Sequence, residues 1–331
     1  MKKIAIITGG TAGHVFPAIA LAKELQKENT VKIITDERGA KFIDDSFETV
    51  ILPIRRFSKK TFLFKGIWLL IKSIIAIKDS KKTIFFGSYA SFFPYIASFL
   101  LGKKRIIYQL DSHITRLNRI LIPSAHHVLY AFAQTNFEIF RKKINKTCCG
   151  IPLRDEFEYE FPKNKITTQI AIIGGSLGSN YWKELLNYLF ENLDLHLQKK
   201  LKFKIQSKNT STKEFEDNKN IEFKEFYNTS ELFKESDLVI SRAGATSICE
   251  ISAIGRPCAL FAWEKSLENH QEKNAINYSK ISKATINSKK EVLELIEKLQ
   301  SFKYKLKLSQ KAADAFPQYA KIRAAKIIQK I

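Results

Sequence analysis

Twice in this chain a short, wholly apolar run passes through a glycine loop directly into a segment with helical periodicity, and that repeat limits the possible folds more than any other feature. The first run, Ile4-Ala5-Ile6-Ile7, leads into Gly9-Gly10-Thr11-Ala12-Gly13-His14 and then Pro17, Ala20, Leu21 and Leu25, with Pro17 at the start of the helix. The second, Ile170-Ala171-Ile172-Ile173 within the β-prone run 169–173, leads into Gly174-Gly175-Ser176-Leu177-Gly178-Ser179 and then Trp182, Leu185, Leu186 and Leu189. Apolar strands alternating with helices are the signature of a parallel sheet covered on both faces. Further β-prone runs fall at 31–35, 83–86, 105–108 and 127–130, and in the second half at 202–206, 238–241 and 257–261. A length of 331 residues accommodates two such α/β domains, with the polar stretch 155–168 as linker. Residues 317–331 carry Ile322, Ala325 and Ile328 at helical spacing, an amphipathic helix that needs a surface to cover.

No stretch reaches the ~20 apolar residues of a spanning helix. Met1-Lys2-Lys3 and the apolar run after it resemble the start of a signal peptide, but Thr8-Gly9-Gly10 cuts the run short, so a cytoplasmic location is expected. Cys148 and Cys149 are adjacent, and Cys249 and Cys258 sit in apolar segments without metal-ligand spacing. All four read as reduced core residues, and no metal site is expected. The net charge of +22 points to an anionic partner, although a Lys- and Ile-rich composition also follows from genome bias. The basic residues are dispersed rather than interleaved with stacking aromatics, which argues against nucleic acid.

Glycines allow a tight turn and close approach to a ligand, while the N–H groups and dipole of a following helix attract an anion such as a diphosphate. The same glycines also serve plain strand-to-helix turns. Neither loop is a Lys-containing P-loop or a full dinucleotide fingerprint. His14 beside the first loop has the intrinsic pKa, near ~6.5, to take a proton at neutral pH, or it is a polar residue starting a helix. A third stretch, residues 241–250, leaves a strand at Gly244 and places Glu250 one turn into a helix. That carboxylate suits either the vicinal hydroxyls of a ribose or the helix dipole.

Six blocks in order, GGTAGHVFPAIALAKEL (9–25), GSYAS (87–91), GIPLR (150–154), GGSLGS (174–179), SRAGATSICEISAIGRP (241–257) and ENHQEKNA (268–275), resemble the GT-B glycosyltransferases of the MurG type, glycosyltransferase family 28. The resemblance implies two Rossmann-like domains with a cleft between them and a C-terminal helix returning to the first. The N-terminal acceptor and membrane-binding domain would be 1–154 with 315–331, and the C-terminal UDP-GlcNAc-binding domain 155–314. It implies inverting transfer of N-acetylglucosamine to the 4-hydroxyl of undecaprenyl-diphosphate-linked MurNAc-pentapeptide for peptidoglycan synthesis, without an essential metal or cofactor. His14 would be the general base. Thr11, Gly13, Arg154, Ser176, Gly178, Ala245, Thr246, Glu250 and Gln271 would lie on the donor side, with Glu250 on the ribose and Gln271 reading the GlcNAc hydroxyls. Gly87, Ser88, Tyr89 and Asp111 would form the acceptor side. Three positions depart from the pattern: Ala12 stands where Gly is common, and Gln109 and Asp111 stand for the Glu and Asn of a His-Glu-Gln-Asn string.

Residues 57–82 contain more apolar side chains than a one-sided stripe needs, bracketed by lysines. Phe62, Phe64, Lys65, Trp68 and Lys72 are expected to face an anionic membrane surface, placing the protein peripherally on the cytoplasmic face of the bacterial inner membrane. A buried helix with a solvated lysine rim fits the same pattern. The rival functions are transfer to another glycolipid acceptor and a non-catalytic UDP-sugar-binding membrane protein.

Overall fold

The computed structural model describes residues 3–54, 62–174, 181–207, 215, 218–263 and 267–331, with the side chains of residues 62–64 and 267 left aside. It divides into two compact units, Met1–Asp155 with Pro317–Ile331, and Glu156–Phe316.

Unit 1 holds seven strands: β1 (Lys3–Ile7), β2 (Thr30–Thr35), β3 (Glu48–Ile51), β4 (Lys82–Phe85), β5 (Lys104–Gln109), β6 (His127–Tyr130) and β7 (Lys146–Cys148). They form one sheet in the order β3-β2-β1-β4-β5-β6-β7, and every pairing is parallel. Ile4, Ala5, Ile6 and Ile7 are all buried, because helices cover both faces of a parallel sheet and successive residues point to opposite ones.

Unit 2 repeats the plan with β8 (Thr168–Ile173), β9 (Leu201–Gln206), β10 (Ile221–Lys224), β11 (Leu238–Arg242), β12 (Cys258–Phe261) and β13 (Thr285–Ile286), in the order β10-β9-β8-β11-β12-β13. Its core gathers Ile170, Ile172, Leu185, Leu189, Phe203, Ile240 and Val292. The polar stretch expected as a linker packs onto this unit. Phe157 is buried against Phe233, and buried Arg256 donates to the carbonyls of Glu160 (2.7 Å), Phe233 (3.0 Å) and Lys234 (2.8 Å).

Each sheet reverses its strand order once, between β1 and β4 and between β8 and β11. Ligands of such open sheets bind at the carboxyl ends of the strands at that point. The glycine loop after β1 and the 87–91 loop after β4 flank the first switch point. Gly174 and residues 243–246 follow β8 and β11 at the second.

The Ala320–Lys330 helix packs on the Ala12–Gln26 helix, so the last segment covers unit 1 as expected. Gly150 shows how closely the chain passes. Its φ is +81°, and a Cβ there would lie 3.0 Å from the Pro317 carbonyl oxygen and 3.3 Å from Ala320 Cβ. Buried Lys82 donates to the last helix through the carbonyls of Ile328 (2.5 Å) and Gln329 (3.2 Å), a cation placed at a helix C-terminus.

Candidate functional site

The first glycine loop turns on Gly10, whose φ of +86° favours glycine. Ala12 already stands in the helix, which begins there, so the departure from Gly is accommodated. Pro17 therefore falls in the second turn, correcting the expected start, and it cannot donate to the Gly13 carbonyl. His14 leans toward the 87–91 loop. Gly87 has φ +79°, and a Cβ built on it would sit 3.7 Å from His14 Cδ2 and Nε2. Ser88 follows with φ 69° and ψ 153°, a combination that L residues seldom adopt. Its hydroxyl accepts from Ala90 N–H (3.2 Å), and the Ser91 hydroxyl donates to the Gly87 carbonyl (2.5 Å).

Behind these two loops lies Asp36, at the carboxyl end of β2 and 1% exposed. Its Oδ1 accepts the N–H groups of Gly10 and Gly39, both at 2.9 Å, and its Oδ2 accepts the Tyr89 hydroxyl (3.0 Å) and the Arg38 guanidinium (3.2 Å). Burial alone would push this carboxyl up, but the donors from Gly10, Gly39, Tyr89 and Arg38 together hold it below the usual carboxylate value. Sequence reasoning passed over Asp36. The signal was its position, since dinucleotide-binding sheets carry an acid at the end of the second strand to hold a ribose.

Of the acceptor-side residues, Gly87, Ser88 and Tyr89 lie on the loop against His14. Asp111 lies in the loop after β5, where its carbonyl accepts from Gln109 Nε2 at 2.8 Å. Gln109 is buried, reaches the His113 carbonyl as well (2.9 Å) and accepts from Asn118 (2.6 Å), so it shapes this loop from within. Arg154 belongs to unit 1, its guanidinium 4.6 Å from the centre of the Phe16 ring and so alongside the helix that carries Thr11, Gly13 and His14 at its start.

In unit 2, Gly244 caps the Ala245–Ile254 helix with an ordinary φ of −69°. Ala245, Thr246 and Glu250 are buried on its first turns. Gln271 and Asn274, on the His270–Ser282 helix, reach neighbouring loops: Gln271 Oε1 accepts from Trp263 N–H (3.0 Å), and Asn274 donates to the Ala243 carbonyl (3.3 Å). Arg242 lies 5.3 Å from the centre of the Trp263 ring, a contact that sequence reasoning did not single out. Ser176 and Gly178 lie outside the described residues. Among the described residues no group of three or more His, Cys, Asp or Glu is arranged to hold a metal ion.

The Phe62–Ile77 helix turns Leu69, Ser73, Ala76 and Ile77 inward. Its other face is apolar too, with Ile67 at 54%, Trp68 at 47%, Ile71 at 51% and Ile75 at 54% exposure. Lys65 and Lys72 are exposed, and the Lys72 ammonium lies 5.7 Å from the Trp68 ring centre. The side chains of Phe62 and Phe64 lie outside the described residues. The packed Phe92–Leu100 helix adds exposed Phe99 and Leu100. Among the described residues no helix is long and apolar enough to cross a membrane.

Residues 4–130 match the glycosyltransferase family 28 N-terminal domain and residues 169–331 the family 28 C-terminal domain. A UDP-N-acetylglucosamine--N-acetylmuramyl-(pentapeptide) pyrophosphoryl-undecaprenol N-acetylglucosamine transferase of Wolbachia sp. subsp. Drosophila simulans is 32% identical over 322 residues, 92% of each chain. The chain belongs to glycosyltransferase family 28. A family 28 relative of the same description from Rickettsia felis is also 32% identical, over 83% of each chain. The fold matches that of the crystal structure of Acinetobacter baumannii MurG, with a TM-score of 0.81 at 21% identity over 100% of both chains. The GT-B fold expected from the ordered sequence blocks is thus the fold of this family 28 chain. Its first glycine loop stands at the switch point of the first sheet.

Proposed function

We propose that the protein transfers N-acetylglucosamine from UDP-GlcNAc to the 4-hydroxyl of MurNAc in undecaprenyl-diphosphate-linked MurNAc-pentapeptide. The observation that carries this reading is the 32% identity to the Wolbachia transferase over 92% of both chains. In the reaction the acceptor oxygen attacks C1 of GlcNAc, His14 takes the hydroxyl proton, and the C1–oxygen bond to the diphosphate breaks with UDP leaving. Thr11, Gly13, Arg154 and the 174–179 loop would meet the diphosphate charge. In unit 2, Ala245 and Thr246 would line the nucleotide, Glu250 would hold the ribose and Gln271 would read the sugar hydroxyls. Gly87, Ser88, Tyr89 and Asp111 would serve the acceptor on unit 1. Positive charge supplied by the protein makes a metal unnecessary in this scheme.

The apolar outer face of the Phe62–Ile77 helix, with Lys65 and Lys72 beside it, supports docking on an anionic bilayer where a lipid-linked acceptor resides. The bilayer would be the inner membrane, approached from the cytoplasm. The test is purified protein with labelled UDP-GlcNAc, the lipid-linked acceptor and a chelator. Labelled disaccharide lipid is expected; hydrolysis of UDP-GlcNAc without transfer, or dependence on added metal, would overturn the scheme.

A further inference from the structure

We propose that Asp36 is a positioning residue for transfer: its carboxylate clamps the first glycine loop to the 87–91 loop and so fixes the Gly87–Ser88 turn against the His14 ring. The inference rests on the reading of His14 as the base.

Every partner of this carboxylate is a donor. Two backbone N–H groups fill Oδ1, and the Tyr89 hydroxyl and Arg38 guanidinium fill Oδ2. Only an ionised carboxylate offers that many acceptor sites in one place. With its side chain 2% exposed and both oxygens engaged, Asp36 cannot itself hold a ribose, although it stands where dinucleotide-binding sheets keep a ribose-binding acid. It reaches the reaction only through the loops it holds. Arg38 extends the clamp outward, because its guanidinium donates to the Tyr89 hydroxyl and lies 5.3 Å from the Tyr89 ring centre.

The two loops have no slack between them. A Cβ at Gly9 would lie 2.8 Å from Ala90 Cβ and 3.2 Å from Asp36 Oδ1. Ser88, at φ 69° and ψ 153°, occupies a backbone region that persists only where the surroundings fix it. Its neighbour Tyr89 is the residue that Asp36 grips. Release of Tyr89 would free the turn, and Gly87, whose backbone faces the His14 imidazole, would move with it.

The test is Asp36→Asn, which keeps the shape but replaces one carboxylate oxygen by an amide N–H₂ that cannot accept from the backbone N–H groups or the guanidinium. Transfer kcat is expected to fall at least about tenfold, as for misplacement of reacting groups. The affinity for UDP-GlcNAc, measured by calorimetry, should stay within about twofold. Backbone hydrogen exchange should speed up in both 9–14 and 86–91. Tyr89→Phe removes one donor at the exposed end; it should lower kcat less and speed exchange in 86–91 alone. A kcat for Asp36→Asn within twofold of the parent overturns the proposal, as does a kcat loss matched by lost donor affinity. If Asp36→Asn does not fold, Tyr89→Phe decides, and parental exchange at 86–91 overturns it. If the parent protein transfers nothing to the lipid-linked acceptor, the functional reading fails instead, and the exchange data alone judge the clamp.

Discussion

A base is useful only where its nitrogen meets the proton it must take, and the role proposed for His14 rests on what lies beside the ring. The imidazole edge faces Gly87, a position with φ +79° and no side chain to shield the ring. Replacing His14 with Ala should lower turnover about 10²- to 10⁴-fold, the usual cost of a lost acid–base group, with UDP-GlcNAc affinity unchanged. Steady-state kinetics with calorimetry separates the two effects. Asp36 yields a pH prediction. Its folded carboxyl lies below the ordinary value of about 3.9, so its contribution to stability is fully present above that value and is lost as pH falls through the folded one. The urea midpoints of the parent and Asp36→Asn should therefore differ by a constant amount from neutral pH to about pH 5 and converge below about pH 4.

At the scale of elements, the Phe62–Ile77 helix is apolar on both faces, and among the described residues one face is packed while Ile67, Trp68, Ile71 and Ile75 are exposed. Changing Ile67, Ile71 and Ile75 together to Ser should weaken binding to anionic vesicles at least about tenfold, since each buried isoleucine is worth about 1.5–3 kcal/mol, while acceptor-free UDP-GlcNAc binding stays intact. Co-sedimentation measures this directly. The same burial logic explains which elements the sequence disclosed. Most inner strands are buried on both faces and read as apolar runs, while β9 alternates, burying Leu201, Phe203 and Ile205 with Lys202 exposed. The four strands that the pattern missed, β3, β7, β10 and β13, are the outer strands of the two sheets. Half-exposed edges carry residues such as Glu48, Lys146 and Glu222, which break the run. The site divides the same way. The turns at Gly10 and Gly87 are legible because few other residues permit their positive φ, whereas the role proposed for Asp36 arises from loops brought together by the sheet order.

As a whole, the described residues give each unit its own sheet and its own apolar cluster. Calorimetry should resolve two unfolding transitions, as multi-domain chains commonly show. UDP at about 100 times its dissociation constant should stabilise one of them by about 2.7 kcal/mol, and the unit it stabilises should be Glu156–Phe316. Limited proteolysis with mass spectrometry identifies which unit is protected. The path of the chain gives the two units different histories in the cell. Residues 317–331 leave the ribosome after all of unit 2, yet they complete unit 1. Until they emerge, the Lys82 ammonium has no Ile328 or Gln329 carbonyl to donate to. The half synthesised first is thus finished only after the second unit, and a chain that stops before residue 317 would carry a sound second unit attached to an unfinished first.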